Sequence, residues 1–260
     1  MKRNLITTCF VAVLMSLVSS LPADAAVVPF SDSFDYTTGD DLGGSGGWVQ
    51  IAGGQPTIAD SPGGSVSGVN VATKPSGDDN NETGKNIGTV DDVVGEQLDF
   101  RISLRTDGAS NANGNDALLR VTRNGNMDPF GGVGNIVFQT GINDGKATAS
   151  TFNPGNTTQL DDTILQNTWY EFRALYDVVA GGDDVLDIDY RKIGDPTWID
   201  LHDSGVNELS DSTDNSFRLT GRSYNAASHW DDASVSVVPE PSSLLLLGLG
   251  LIAYGWWRRK

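Results

Sequence analysis

Apolar and polar positions alternate through the middle of the chain with the period of a half-buried strand. In "EQLDFRISLRTD", Leu98, Phe100, Ile102 and Leu104 fall on one face and Asp99, Arg101, Ser103 and Arg105 on the other. "TWYEFRALYDV" repeats the pattern with Tyr170, Phe172, Ala174 and Tyr176, and "DVLDIDYRK" does so with Leu186, Ile188 and Tyr190. "SFRLTGRS" offers Phe217 and Leu219 inward, with Arg218 and Arg222 outward. The last segment, "HWDDASVSVV", puts Ala233, Val235 and Val237 inward and turns Trp230, Asp232 and Ser234 outward. Shorter candidates lie in "VPFSDSF", "GWVQIA", "SVSGVNVAT", "ALLRVTR", "NIVFQTG" and "KATAST".

Turn chemistry separates these runs: "GGSGG", "SPGG", "NANGND", "NPGN" and "AGGDD" are built from residues that tolerate turn dihedrals. "SGDDNNETGKN" reads as an exposed tip of the same kind. No stretch of a dozen residues shows helical periodicity, and there is no internal repeat. One-sided alternation in about ten to twelve strands predicts an all-β fold, two antiparallel sheets packed face to face. One domain over residues 27–238 is the simplest division.

Both ends depart from this pattern. Lys2 and Arg3, an apolar run from Leu5 to Val18, and the small residues Ala23 and Ala25 form the three parts of an export signal. Residues 1–25 are therefore expected to be a signal helix removed by signal peptidase. At the other end, Leu244 to Trp257 is an apolar block of 14 residues followed by Arg258, Arg259 and Lys260. As a helix it reaches roughly 20 Å, short of a hydrocarbon core of about 30 Å. Extended to 243–257, with Trp256 and Trp257 at the interface, it makes a marginal transmembrane helix. The three cations would orient it with the acidic domain outside.

"VPEPSS", a short Leu/Gly-rich span and a terminal basic cluster together resemble the PEP-CTERM sorting signal of Gram-negative bacteria. The motif residues are Pro239, Glu240 and Pro241, within a signal spanning 239–260. The resemblance implies a partner, an exosortase-like membrane transpeptidase or protease that removes the tail. It also implies export, transient inner-membrane anchoring, and delivery to the cell surface or to an exopolysaccharide matrix.

Composition narrows the partners. The formal net charge is -17, which excludes the basic patch that nucleic acid requires. The only cysteine is Cys9, inside the predicted signal, so the mature chain has neither disulfide nor thiolate metal ligand.

"FSDSFDY", "GGWVQ", "NTWYEFRALYD", "DVLDIDYRK", "TWIDL" and "WDDASVSV", in that order, resemble the concanavalin A-like jelly-roll family, which includes laminin-G-like modules and laminarinase-type glucanases. An immunoglobulin-like or other carbohydrate-binding sandwich is the alternative. Retaining glucanases of that family carry an E-x-D-x-E strand. Here the strand reads "LDIDY", with Asp187 and Asp189 followed by Arg191 and no glutamate, which favours a non-enzyme over a glycoside hydrolase or lyase. Asp187 and Asp189 instead suit a charge ladder with Arg101, Arg105, Arg173, Arg218 and Arg222. His202 and His229 lack zinc spacing.

Two binding chemistries remain. Saccharides are held by aromatic faces and planar polar groups, so Trp48, Trp198 and Trp230 are the candidate platforms, with Arg222 or Asn225 beside them. Alternation singles out Trp230, although each of the three also suits core packing. The family resemblance suggests a structural calcium joining the first strand to the last, through Asp32 or Asp35 and Asp231 or Asp232. These acids serve equally well as strand-end caps. The expectation is an exported structural or adhesive sandwich with affinity for extracellular polysaccharide, with a calcium-stabilised adhesion module as the rival.

Overall fold

The computed structural model describes residues 29–61, 66–75, 78–88, 97–107, 115–123, 136–151, 157–179, 184–206, 215–223 and 227–238. The expected signal helix, the sorting motif, the transmembrane helix and the basic tail lie outside these residues. Fifteen strands form: β1 (Phe30–Asp32), β2 (Val49–Gly53), β3 (Thr57–Asp60), β4 (Asn70–Lys74), β5 (Asp78–Gly88), β6 (Gln97–Thr106), β7 (Asn115–Thr122), β8 (Ile136–Asn143), β9 (Lys146–Thr151), β10 (Thr157–Thr163), β11 (Tyr170–Asp177), β12 (Asp184–Lys192), β13 (Ile199–Val206), β14 (Asn215–Ser223) and β15 (Ser228–Val238). An eight-stranded sheet runs β13-β12-β11-β6-β15-β4-β3, with β1 also paired to β15. A seven-stranded sheet runs β10-β9-β8-β7-β14-β5-β2, and every pairing in both sheets is antiparallel. The fold is an all-β sandwich of the jelly-roll kind.

The inward faces meet as the alternation predicts. Phe100 of one sheet packs edge-on against Phe138 of the other, with ring centroids 5.4 Å apart. Phe172, Tyr176, Ile188 and Phe217 are buried in the same core.

Two readings of the sequence are corrected. "SGDDNNETGKN" supplies most of β5, an eleven-residue strand paired to both β14 and β2. Its low β propensity is overridden by hydrogen bonding on both sides and by burial of Glu82, Thr83 and Gly84. The second correction concerns Trp230, which lies in the core and not on the surface. Asp231 opposes Ser103 and Ser234 opposes Arg101, so Asp232 and Ala233 together face the single Ile102. This β-bulge, with Asp232 at φ 48°, shifts the alternation by one residue. Trp230 and Ala233 therefore both point inward. The bulge falls where β15 passes from pairing with β4, at residues 228–230, to pairing with β1, at 233–235.

Candidate functional site: the outer face of the eight-stranded sheet

The pleat that buries Phe100 and Phe172 turns the alternate residues of β6, β11, β12 and β15 outward. Register places them in rows. Asp231, Ser103, Glu171 and Arg191 form one row, and Ser234, Arg101, Arg173 and Asp189 the next. Glu171 divides its two oxygens between guanidinium groups: Oε1 accepts from Arg101 at 3.3 Å and Oε2 from Arg191 at 2.7 Å. Arg101 also grips both oxygens of Asp99 through Nε, at 3.0 Å each. These contacts, that with Asp99 foremost, push the Arg101 pKa up. Arg173 pairs with Asp189. This is the predicted ladder in part. Arg218 belongs instead to the seven-stranded sheet, where it bonds Glu82 at 3.0 Å, and Arg105 pairs with Asp107.

After β12 the chain turns back over this face, and Trp198 lies 4.3 Å from Arg191 and 4.4 Å from Arg173, measured from guanidinium carbon to ring centroid. Both distances are within cation–π range. Trp198 is partly exposed. Beside it is a cavity of about 370 Å³ lined by Ser31, Ser103, Ser234, Arg101, Glu171, Arg191 and Asp232 among others. Ser31 and Gly194 of its lining are exposed. Volume and lining suit a small polar ligand.

One wall of the cavity includes Val66, at the start of a segment hung on carboxylates. Asp231 Oδ2 accepts the amides of Val66 at 2.8 Å and Ser67 at 3.2 Å, while Asp232 accepts the Ser67 hydroxyl. Asp35 accepts the amides of Val69 at 2.8 Å and Asn70 at 3.3 Å. Those bonds, led by Val69, hold the Asp35 carboxyl below its usual range. Burial, reinforced by the neighbouring Asp232 charge, pushes Asp231 up to about 6.

The first and last strands are neighbours, as a calcium bridge between them requires: Asp32 opposes Ala233. Asp32 itself is committed elsewhere. It accepts from the Phe34 amide at 3.0 Å, the Tyr36 hydroxyl at 2.6 Å and the Trp48 indole at 2.8 Å, with Lys85 at 3.6 Å. Burial and this bond raise the Tyr36 pKa. A carboxylate filled by donors and faced by an ammonium does not fit a calcium shell. Asp35, which holds two amides, is in a similar position. Asp187, Asp189 and Asp200 offer oxygens within 4.8 Å of one another, but Asp189 is already bound to Arg173.

Of the three candidate tryptophans, the structure brings only Trp198 to a polar surface. Trp48 is 1% exposed and Trp230 fully buried, so neither is a sugar platform. Trp48 faces inward because Asp32 captures its indole and Phe30, Phe34 and Phe217 surround it. The Arg222 backbone lies on β14 in the opposite sheet, while its side chain and Asn225 fall outside the described residues. Arg191, Glu171 and the serines were not singled out as ligand contacts. Their signal was present in the outward positions of three strands, but which strands adjoin is set by pairing, which periodicity does not encode.

Residues 237–260 match the PEP-CTERM protein-sorting motif. The chain thus carries a signal of exported proteins that are held transiently in the membrane and processed by exosortase. No curated protein matches the chain. Among solved structures it is similar to arcelin-5, a lectin-like defense protein from Phaseolus vulgaris, with TM-score 0.56 and 10% identity over 83% of this chain and 100% of that one. Lectin II from Ulex europaeus gives TM-score 0.52 at 11% identity, covering 82% and 99%. An alginate lyase from Aplysia kurodai gives 0.50 at 9%, covering 70% and 87%. At these identities the likeness establishes the concanavalin A-like jelly-roll fold and nothing finer.

Proposed function

We propose that this chain, a jelly-roll sandwich carrying an exosortase sorting signal, is a non-catalytic glycan-binding protein of the cell surface or extracellular matrix. In this reading a signal peptide starts its export, and the C-terminal apolar block anchors it in the inner membrane of a Gram-negative bacterium until the tail is cut. The mature sandwich then adheres to extracellular polysaccharide. The observation that carries the reading is the cavity on the outer face of the eight-stranded sheet, with Trp198 beside it and Arg101, Glu171 and Arg191 in its wall.

The chemistry matches what a sugar asks for. Guanidinium and carboxylate groups held rigid by one another present fixed donors and acceptors, and a neighbouring indole offers an apolar face to C–H groups. Hydrolysis finds weaker support, because Asp189 is tied to Arg173 and Glu171 to two arginines. Retaining chemistry needs one carboxylate free to attack and another able to donate a proton.

Isothermal titration of the full chain, purified in detergent, against a panel of soluble polysaccharides tests the proposal. Binding that falls at least about tenfold in Trp198→Ala supports it. Absence of binding to every glycan, or release of reducing or unsaturated ends from any of them, overturns it.

A further inference from the structure

The charge balance around the cavity is lopsided in a way its hydrogen bonds reveal. Arg101 and Arg191 are its lining cations, and both are already engaged. Arg101 is shared between Asp99 and Glu171, and Arg191 bonds Glu171 through Nε at 2.7 Å and Nη2 at 2.5 Å. The network around the cavity sets Arg101, Arg173 and Arg191 against Asp99, Glu171, Asp189 and Asp232, which leaves Asp232 as the carboxylate in surplus. Asp232 lines the cavity and receives the Ser67 hydroxyl, with no cation paired to it among the described residues.

Three serines share the rest of the wall with Val66, Ile193 and Gly194. Ser31, Ser103 and Ser234 all line the cavity. Ser103, although only 2% exposed, contributes to the cavity lining. Hydroxyls lining a cavity can donate to and accept from the hydroxyls of a sugar.

A neutral sugar would satisfy the hydroxyls but leave the surplus negative charge unanswered. A uronate or sulfated sugar would add to it, and like charges in a partly desolvated site repel strongly. We propose that the cavity selects a protonated amino sugar, a 2-amino-2-deoxyhexose unit of a partly N-deacetylated glycan, whose ammonium pairs with Asp232 while its hydroxyls meet Ser31, Ser103 and Ser234. The inference rests on the glycan-binding reading above and adds the ligand class.

Asp232→Asn isolates the charge. Asparagine tolerates the positive φ of the bulge almost as well as aspartate and still accepts the Ser67 hydroxyl, so the strand keeps its path. Asp41→Asn is the control, since Asp41 is exposed and not part of the cavity lining, and a chain of net charge -17 attracts any polycation weakly.

The full chain in detergent is titrated at pH 6 with short oligomers of glucosamine, N-acetylglucosamine, glucose and glucuronate, and with calcium alone. The expected result is preferential binding of the glucosamine oligomer at a defined stoichiometry, weakened about tenfold by Asp232→Asn and unchanged by Asp41→Asn. Equal binding of glucose or N-acetylglucosamine oligomers, indifferent to Asp232→Asn, overturns the amino-sugar assignment and leaves the glycan reading standing. Equal weakening by Asp41→Asn shows diffuse attraction and also overturns it. Calcium binding lost in Asp232→Asn, without oligosaccharide binding, makes the cavity a metal site and defeats both.

Discussion

Asp231 accepts the amide hydrogen of Val66 at 2.8 Å, a contact between residues 165 positions apart. It ties the wall of the cavity to the bulge in β15, so whatever alters the charge of Asp231 alters that wall. Its pKa is raised from 3.8 to about 6, first by burial. Between those values the folded state holds a proton that the unfolded chain releases. The stabilisation linked to that proton is full below pH 3.8 and lost as pH rises through about 6.

Asp231→Asn removes this titration. The stability of the native chain relative to the variant is therefore expected to be greater at pH 4 than at pH 7, measured as the difference in melting temperature. A difference that grows toward pH 7 instead would contradict the assignment. Asp232→Asn, which removes the neighbouring charge, should narrow the pH window.

At one end of the same face, His229 joins Thr73 and Asp107: Nδ1 lies 2.9 Å from the Thr73 hydroxyl and Nε2 3.0 Å from Asp107 Oδ2. His229 is 2% exposed, and Asp107 also receives Arg105 at 2.9 Å. The bond from His229, more than that from Arg105, holds the Asp107 carboxyl below its usual value. A lowered carboxylate stabilises above the unfolded value and loses that contribution as pH falls through the folded one. Asp107→Asn should cost about 1–3 kcal/mol near neutrality. The cost should shrink below pH 3.8, where denaturant midpoints of the two proteins converge.

The sandwich was legible because its strands bury one face each. The alternation in β6, β11 and β12 gave the inward residues Phe100, Phe172 and Ile188 directly, and all three are in the core. Where β pairing is decided by neighbours in space, the pattern misleads. The residues of β5 carry turn chemistry, but two flanking strands hold them extended. Trp230 was misplaced because a bulge changes parity by one residue, and "WDDAS" contains no glycine to advertise the positive φ that Asp232 adopts.

The site was legible only in fragments. Trp198 was visible as an aromatic with two faces to spend, and Asp232 as half of an acidic pair. That they flank one cavity depends on β12, β11, β6 and β15 lying side by side, an order in which the last strand of the domain sits in the middle of the sheet. The same topology separates Arg222 from Trp230, the pair that sequence had joined.

Asp32, opposite Ala233 just after the bulge in β15, is the hub of a second polar cluster, and its removal should be among the more damaging single changes. Asp32→Ala strips acceptors from the Trp48 indole, the Tyr36 hydroxyl and the Phe34 amide at once, and leaves Lys85 unpaired. Loss of one partner from such a buried charged cluster costs about 3–5 kcal/mol. Tyr36→Phe, which removes a single donor, should cost about 1 kcal/mol. Chemical denaturation of both variants decides it: comparable losses would mean that Asp32 is not the shared acceptor.

The pairing of β15 also constrains how the tail is removed. Val238 is still opposite Gln97 in the sheet, and the match to the sorting motif begins at residue 237. No linker separates the sandwich from Pro239, Glu240 and Pro241. Fully extended chain spans at most about 3.6 Å per residue, so Leu244, where the apolar block begins, lies within roughly 20 Å of the end of β15. A membrane enzyme cutting at the motif must reach into that gap, or act before β15 has docked between β6 and its other partners. Ten Gly/Ser residues inserted between Val238 and Pro239 should therefore raise the rate of tail removal several-fold in producing cells, followed by intact mass over time. Glu240→Ala should leave the tail uncut with or without the spacer. An unchanged rate with the spacer, alongside a block by Glu240→Ala, would overturn the obstruction: either the folded sandwich does not hinder the enzyme or cutting precedes insertion of the last strand.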